Sequence, residues 1–236
     1  MIALLRYQTA ILLRSHRWIF PVIAYGLLIS VGAASSTPLA EGLDWSAAML
    51  VPVVAFLTRS MLTAEPDAAR ACVAAAAGPV RSQLAALLTA LGTGVVAGLA
   101  GASFTVLTGE SVATHPGSGA FSKIDATFAH PQVLTAGLAT ALVCLLVGSA
   151  AGALCNPPLL RHPGAAMLAT LAAIILALAA NVSPASAALR RAGASPQTAS
   201  WPGGVPLLAA VCLLAVIWGA SLYAGARRDT RAASAT

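Results

Sequence analysis

Residues 84–108 read LAALLTALGTGVVAGLAGASFTVLT, an apolar run without one charged side chain. As an α-helix this run would extend about 37 Å, more than the roughly 30 Å of a bilayer's hydrocarbon core. Five further apolar stretches surround it, at 18–34, 45–62, 133–155, 165–181 and 204–224. Hydrophobic residues make up 58% of the chain, charged residues 8%, and the mean hydropathy is +0.86. A soluble domain carries about 25% charged residues, so this chain lacks the polar side chains to clothe a water-soluble fold. The expectation is an all-α membrane protein: one transmembrane domain over residues 1–236, built as a six-helix bundle.

Glycine is spaced through the deciding run. Gly94 and Gly98 are four residues apart, with Gly92 and Gly101 beside them, and Gly148 and Gly152 repeat the spacing in 133–155. Small residues at this interval let helix backbones approach closely in lipid, so these four glycines are expected at helix-packing contacts, within one chain or between chains. Pro52 lies inside 45–62 and predicts a kink there.

The basic residues fix an orientation. With both termini in the cytoplasm, Arg6, Arg14, Arg17, Arg59, Arg70, Arg81, Arg161, Arg227, Arg228 and Arg231 fall inside, and Lys123, Arg190 and Arg191 fall outside. Ten against three follows the positive-inside rule, which an odd number of spans would break. The net charge of +6 thus reflects orientation and anionic lipid; no basic face interleaved with aromatics points to nucleic acid. The Ala, Arg and Gly bias with a single lysine suggests a GC-rich bacterial genome, and so the bacterial plasma membrane as location.

Residues 1–17 place apolar side chains at roughly helical spacing between arginines. This predicts an amphipathic helix lying in the membrane interface, anchored by Arg6, Arg14, Arg17 and Trp18. Arg6 inside the first apolar stretch argues against a cleavable signal peptide. Between the second and third spans the chain turns polar. Thr63 reads as an N-cap, Glu65, Pro66 and Asp67 suit a first helical turn, and Gly78-Pro79 stops the helix. A short cytoplasmic helix is therefore expected over 64–78. The long segment 182–203 is either a plain outer loop or a re-entrant one.

No catalytic constellation is present. The chain has no G-x-x-x-x-G-K-[ST] and no ionisable group near the centre of a span, which argues against nucleotide hydrolysis, ion-coupled carriage and membrane enzymes. His115, His130, Asp125 and Glu110 share one loop, where such residues are ordinarily solvated. Cys72, Cys144, Cys155 and Cys212 form no C-x-x-C pair and read as small packing residues. No metal or cofactor is expected on this chain.

The layout resembles the permease subunit of ABC-2 type exporters. The shared features are the interfacial N-terminal helix, six spans, a cytoplasmic helix after the second span and a long outer loop before the sixth. Thr63-Ala64-Glu65-Pro66, Ala69-Arg70, the alanine run, Gly78-Pro79 and Cys155-Asn156-Pro157-Pro158-Leu159-Leu160-Arg161 look like actinobacterial members. The resemblance implies a permease paired with a second permease subunit, as homodimer or heterodimer, above separate ATP-binding-cassette ATPase subunits. The 64–78 helix would then be the coupling helix, with Glu65, Asp67 and Arg70 as its polar contacts. Hydrolysis would belong to the partner, so the chain itself would not be an enzyme. The competing reading is a non-transporting scaffold or anchor for a regulatory partner.

Overall fold

In a computed structural model the chain is described over residues 1–16, 18–33, 39–108, 131–154, 163–180, 183–192 and 204–233. These residues form α1 (Ile2–Ser15), α2 (Ile19–Ala33), α3 (Leu39–Leu62), α4 (Asp67–Ala77), α5 (Pro79–Thr108), α6 (Pro131–Leu154), α7 (Pro163–Ala179), α8 (Pro184–Ala192) and α9 (Gly204–Ala233), with no strand among them. Proline opens α5, α6, α7 and α8, the first-turn position where its missing N–H costs nothing and its fixed φ suits a helix. Gly78 alone separates α4 from α5. At φ 86° it takes a conformation that suits glycine, and its N–H bonds the Ala74 carbonyl at 2.9 Å.

By length and composition five stretches suffice to cross a membrane: Leu39–Leu62, Pro79–Thr108, Pro131–Leu154, Gly204–Ala224, and Gly164–Arg190, which takes in α7 and most of α8. The first apolar helix, α2, has 15 residues, about 22 Å at 1.5 Å per residue, and falls short of the usual length. The element boundaries also differ from the sequence expectation. Helix α3 begins at Leu39 and not Trp45, so Glu41 and Asp44 lie in its first two turns; carboxylates are favoured at a helix N-terminus. Helix α5 begins at Pro79 and not Leu84, because Gly78 is the only break. The cytoplasmic helix covers Asp67–Ala77. Helix α3 remains helical through Pro52, and α8 occupies part of the segment read as an outer loop.

Helices α3 and α6 form the centre. In each, 61% of the apolar window is buried, against 17% for Gly204–Ala224. Glycine explains their proximity. A Cβ at Gly148 would stand 2.7 Å from the Val51 carbonyl oxygen, and one at Gly152 would strike the Ala55 carbonyl oxygen. Backbone meets backbone there, and no rotamer change could make room. On the adjoining side of α3, a Cβ at Gly94 would meet Val54 Cγ2 at 3.0 Å and one at Gly98 would meet Leu50 Cδ2 at 3.1 Å. All four glycines thus pack within the chain.

These pairs also give direction. Val51 and Ala55 face Gly148 and Gly152 in the same order, so α3 and α6 run parallel; Val54 and Leu50 face Gly94 and Gly98 in reverse order, so α5 runs antiparallel. One end of the bundle therefore gathers the end of α3, all of α4, and the start of α5. Arg59, Arg70 and Arg81 lie at that end, and Glu41 and Asp44 lie at the opposite one.

At the edge of the bundle, α2 is held by two side-chain bonds to α3's region: Tyr25 donates to the Ser46 carbonyl at 3.3 Å, and Trp45 Nε1 donates to the Leu28 carbonyl at 3.0 Å. The outward sides of α2, α7 and α9 are apolar, with Phe20 79%, Leu176 69% and Val216 70% exposed. Such surfaces belong in lipid, where helices satisfy their own backbone groups.

The glycine contacts predict a sharp contrast. Gly152→Ala forces the α3 and α6 backbones apart and should cost about 1–3 kcal/mol. Gly92 has open space around its Cβ position, so Gly92→Ala should be neutral or stabilise by up to about 1 kcal/mol. Thermal unfolding in detergent followed by circular dichroism separates the two; equal midpoints for both variants would contradict the close contact.

Candidate functional site

The polar features that depart from simple membrane packing collect where α3 ends. A helix leaves its last carbonyls without intrahelical donors, and at an apolar boundary those carbonyls need others. Here Arg70, one turn into α4, supplies them: its Nη2 donates to the Leu62 carbonyl at 3.1 Å and to the Glu65 carbonyl at 3.2 Å. The guanidinium also places positive charge at the negative end of the α3 dipole. Thr63 belongs to this same cap. Its backbone N–H and its Oγ1 both donate to the Arg59 carbonyl, at 3.1 and 3.0 Å. Thr63 is therefore not the N-cap of α4; that position is Pro66, with no side-chain capping bond.

Helix α1 lies against this turn. Leu12 packs in one cluster with Leu57 and Met61 of α3 and Ala90 of α5, with Trp18 resting on the cluster. Gln8, only 1% exposed, donates from Nε2 to Glu65 Oε1 at 2.9 Å, while its own Oε1 has no partner. Three elements therefore meet at one polar junction: α1 through Gln8, the α3–α4 turn through Glu65, and α4 through Arg70. Arg6 and Arg14 are exposed on α1. Trp18 is half-buried, with its Nε1 enclosed and unpartnered. Arg17, the 155–161 motif and the 109–130 loop with its histidines lie outside the described residues.

The expected contact residues thus divide. Glu65 and Arg70 are brought together, and each has partners inside the chain. Asp67 opens α4. The four packing glycines lie away from this junction, along α3. The outward side of α4 consists of Ala68, Ala71, Cys72, Ala75 and Ala76, all exposed and at helical spacing.

Two residues escaped the sequence reading. Gln8 shares the stripe of Leu5 and Leu12, and a polar residue on an apolar stripe was the available signal. Thr170 gave none: it is fully buried on α7 and accepts a hydrogen bond from Arg59 Nη1 at 3.1 Å. Arg59 therefore reaches across to α7 and does more than extend toward the interface.

Chemically the junction holds and positions. Among the described residues no group of three or more His, Cys, Asp or Glu side chains could hold a metal ion. Comparisons with protein-family models, with curated proteins and with solved structures found no match.

The cap makes its own prediction. Arg70→Ala should lower stability by about 1–2 kcal/mol, the order of a half-exposed charged hydrogen-bond donor lost from carbonyls. Arg70→Lys should recover only part of this, because an ammonium lacks the planar fork of guanidinium. A Lys variant as stable as the parent in thermal unfolding would show that charge alone, without the paired geometry, serves the cap.

Proposed function

We propose that this chain is the membrane-spanning permease subunit of an ABC-2 type exporter in a bacterial plasma membrane. It crosses the bilayer six times with both termini inside, α2 serving as a short first span. It pairs with a second permease subunit, identical or not, and is driven by separate ATP-binding-cassette ATPase subunits. The observation that carries the reading is α4: a short helix at the arginine-bearing end, anchored at its root and bare along its outer side.

This reading gives the polar residues of the junction a different task from direct contact. Glu65 and Arg70 position α4 by holding it to α1 and to the end of α3. The surface offered to the motor is the small apolar side formed by Ala68, Ala71, Cys72, Ala75 and Ala76, bordered by the exposed Arg81 at the start of α5. Small side chains allow the close approach that a docking helix needs, and the rigid root lets a push on α4 move α3 as a unit. The location of α8 supports the same reading. It follows α7 directly, and its Ala185 and Ala188 are fully buried, as suits a re-entrant element at the outer end of an exporter.

The test is retention of the motor. Affinity purification of the chain from native membranes should bring down an ATPase with a P-loop. Ala75→Asp, on the outer side of α4, should reduce the retained ATPase at least tenfold while leaving the unfolding temperature unchanged. Failure to retain any ATPase would favour the scaffold reading, and full retention by the Asp variant would move the docking surface elsewhere.

A further inference from the structure

Helix α7 is lightly seated on the bundle. Its buried positions, Ala166, Thr170 and Ile174, form a single line along one side, while Met167, Leu168, Leu171, Ile175 and Leu176 face outward. A line of contact that narrow buries little area and allows the helix to swing. A polar bond crosses it: Arg59 Nη1 donates to Thr170 Oγ1 at 3.1 Å, and the same hydroxyl donates to the Ala166 carbonyl at 2.7 Å. Thr170 lies seven residues, about 10 Å, beyond the first residue of α7. Thr170 is fully buried there, so water competes weakly for its hydroxyl.

Its two ends lead to opposite faces of the protein. Arg59 is three residues before the end of α3, and its carbonyl is part of the Thr63 cap whose neighbour is the Arg70 bond into α4. On the other side α7 runs on toward α8. Ser186 Oγ of α8 donates to the Ala180 carbonyl at 2.6 Å, closing the junction behind α7. Ala185 and Ala188 of α8 are fully buried in the same apolar cluster as α3 and α6 residues.

We infer that the Arg59–Thr170 bond is a tie rod that transmits movement of α4 through the end of α3 to α7, and so to α8 at the far end of the bundle. Arg59 and Thr170 are positioning residues in this device. A displacement of the α3 end carries the guanidinium with it; while the bond holds, α7 must follow, and when it breaks, α7 is left to its narrow apolar seat. The description of α4 as the driven element rests on the exporter reading; the tie between α3 and α7 does not.

Hydrogen–deuterium exchange on the full chain, in nanodiscs of phosphatidylethanolamine and phosphatidylglycerol, tests it without substrate or ATPase. Thr170→Val keeps the side-chain shape and removes the acceptor. It should raise exchange about tenfold in peptides from α7 and α8, the size expected for a lost bond to a charged donor, and leave α5 and α6 protected. Thr170→Ser keeps the hydroxyl and should match the parent. Arg59→Gln, which removes the donor, should repeat the Val pattern. Transmission is read from a cycle: Arg70→Gln loosens the α3 end and should raise exchange in α8 in the parent, but add nothing when Thr170 is already Val. Protection of α7 and α8 in both the Val and Gln variants would overturn the tie, and so would an α8 response to Arg70→Gln that is the same with and without the Thr170 hydroxyl. A chain that shows the predicted pattern yet binds no ATPase would sink the exporter reading and leave the tie standing.

Discussion

The structure depends on the place where two helix backbones touch. At Gly148 and Gly152, α6 lies directly on the Val51 and Ala55 carbonyls of α3, a separation that no other residue type permits. In lipid the hydrophobic effect does not draw helices together, so association rests on packing of this kind and on polar bonds between helices. The contact makes α3 and α6 a rigid centre, and the other helices are arranged on it: α5 against Leu50 and Val54, α2 bound through Tyr25 and Trp45, α7 and α9 at the periphery with apolar outer sides.

A rigid α3 gives its own end particular weight. Whatever seizes the turn after Leu62 seizes the axis of the bundle. That turn is also where the chain spends its few polar side chains: Arg70 and Thr63 close the open carbonyls, Glu65 takes the Gln8 amide, and Arg59 reaches Thr170. Each bond answers a local need, since an open carbonyl or a buried amide without a partner is costly near hydrocarbon. Their joint effect is to bind α1, α3, α4 and α7 to one another at a single face. The opposite face has Glu41 and Asp44 in the first turns of α3. The asymmetry between the two faces supports the proposal that one of them meets a cytoplasmic motor.

Much of the architecture was legible in the sequence because hydropathy and length are strong signals. The run at 84–108 lies within α5, and the Gly94, Gly98, Gly148 and Gly152 spacing pointed to positions where helices do approach closely. Gly78-Pro79 marked a real break, since a glycine at positive φ followed by a helix-opening proline leaves few alternatives. Boundaries were harder. Polar residues at a helix start look like loop, so Glu41 and Asp44 concealed the first turns of α3, and Arg81 and Gln83 concealed those of α5. The recurring helix-opening prolines at Pro131, Pro163 and Pro184 were a usable signal that went unread. Thr63 shows a different limit: a hydroxyl between two helices can cap either one, and only the fold reveals that it serves the end of α3. The partners of Arg59 and Glu65 could not be read at all, because Thr170 and Gln8 lie far away in sequence and composition carries no information about such pairs. The 15-residue α2 is shorter than the usual crossing helix, a feature that hydropathy alone does not reveal.

Everything in the functional account requires α4 to face the cytosol. Cys72 lies on its exposed side and offers a direct probe. With Cys144, Cys155 and Cys212 replaced by alanine, a membrane-impermeant maleimide should label Cys72 in inverted membrane vesicles and leave it unmodified in intact cells. Labelling from outside intact cells would place α4 on the wrong side of the membrane for an ATP-driven partner and contradict the account.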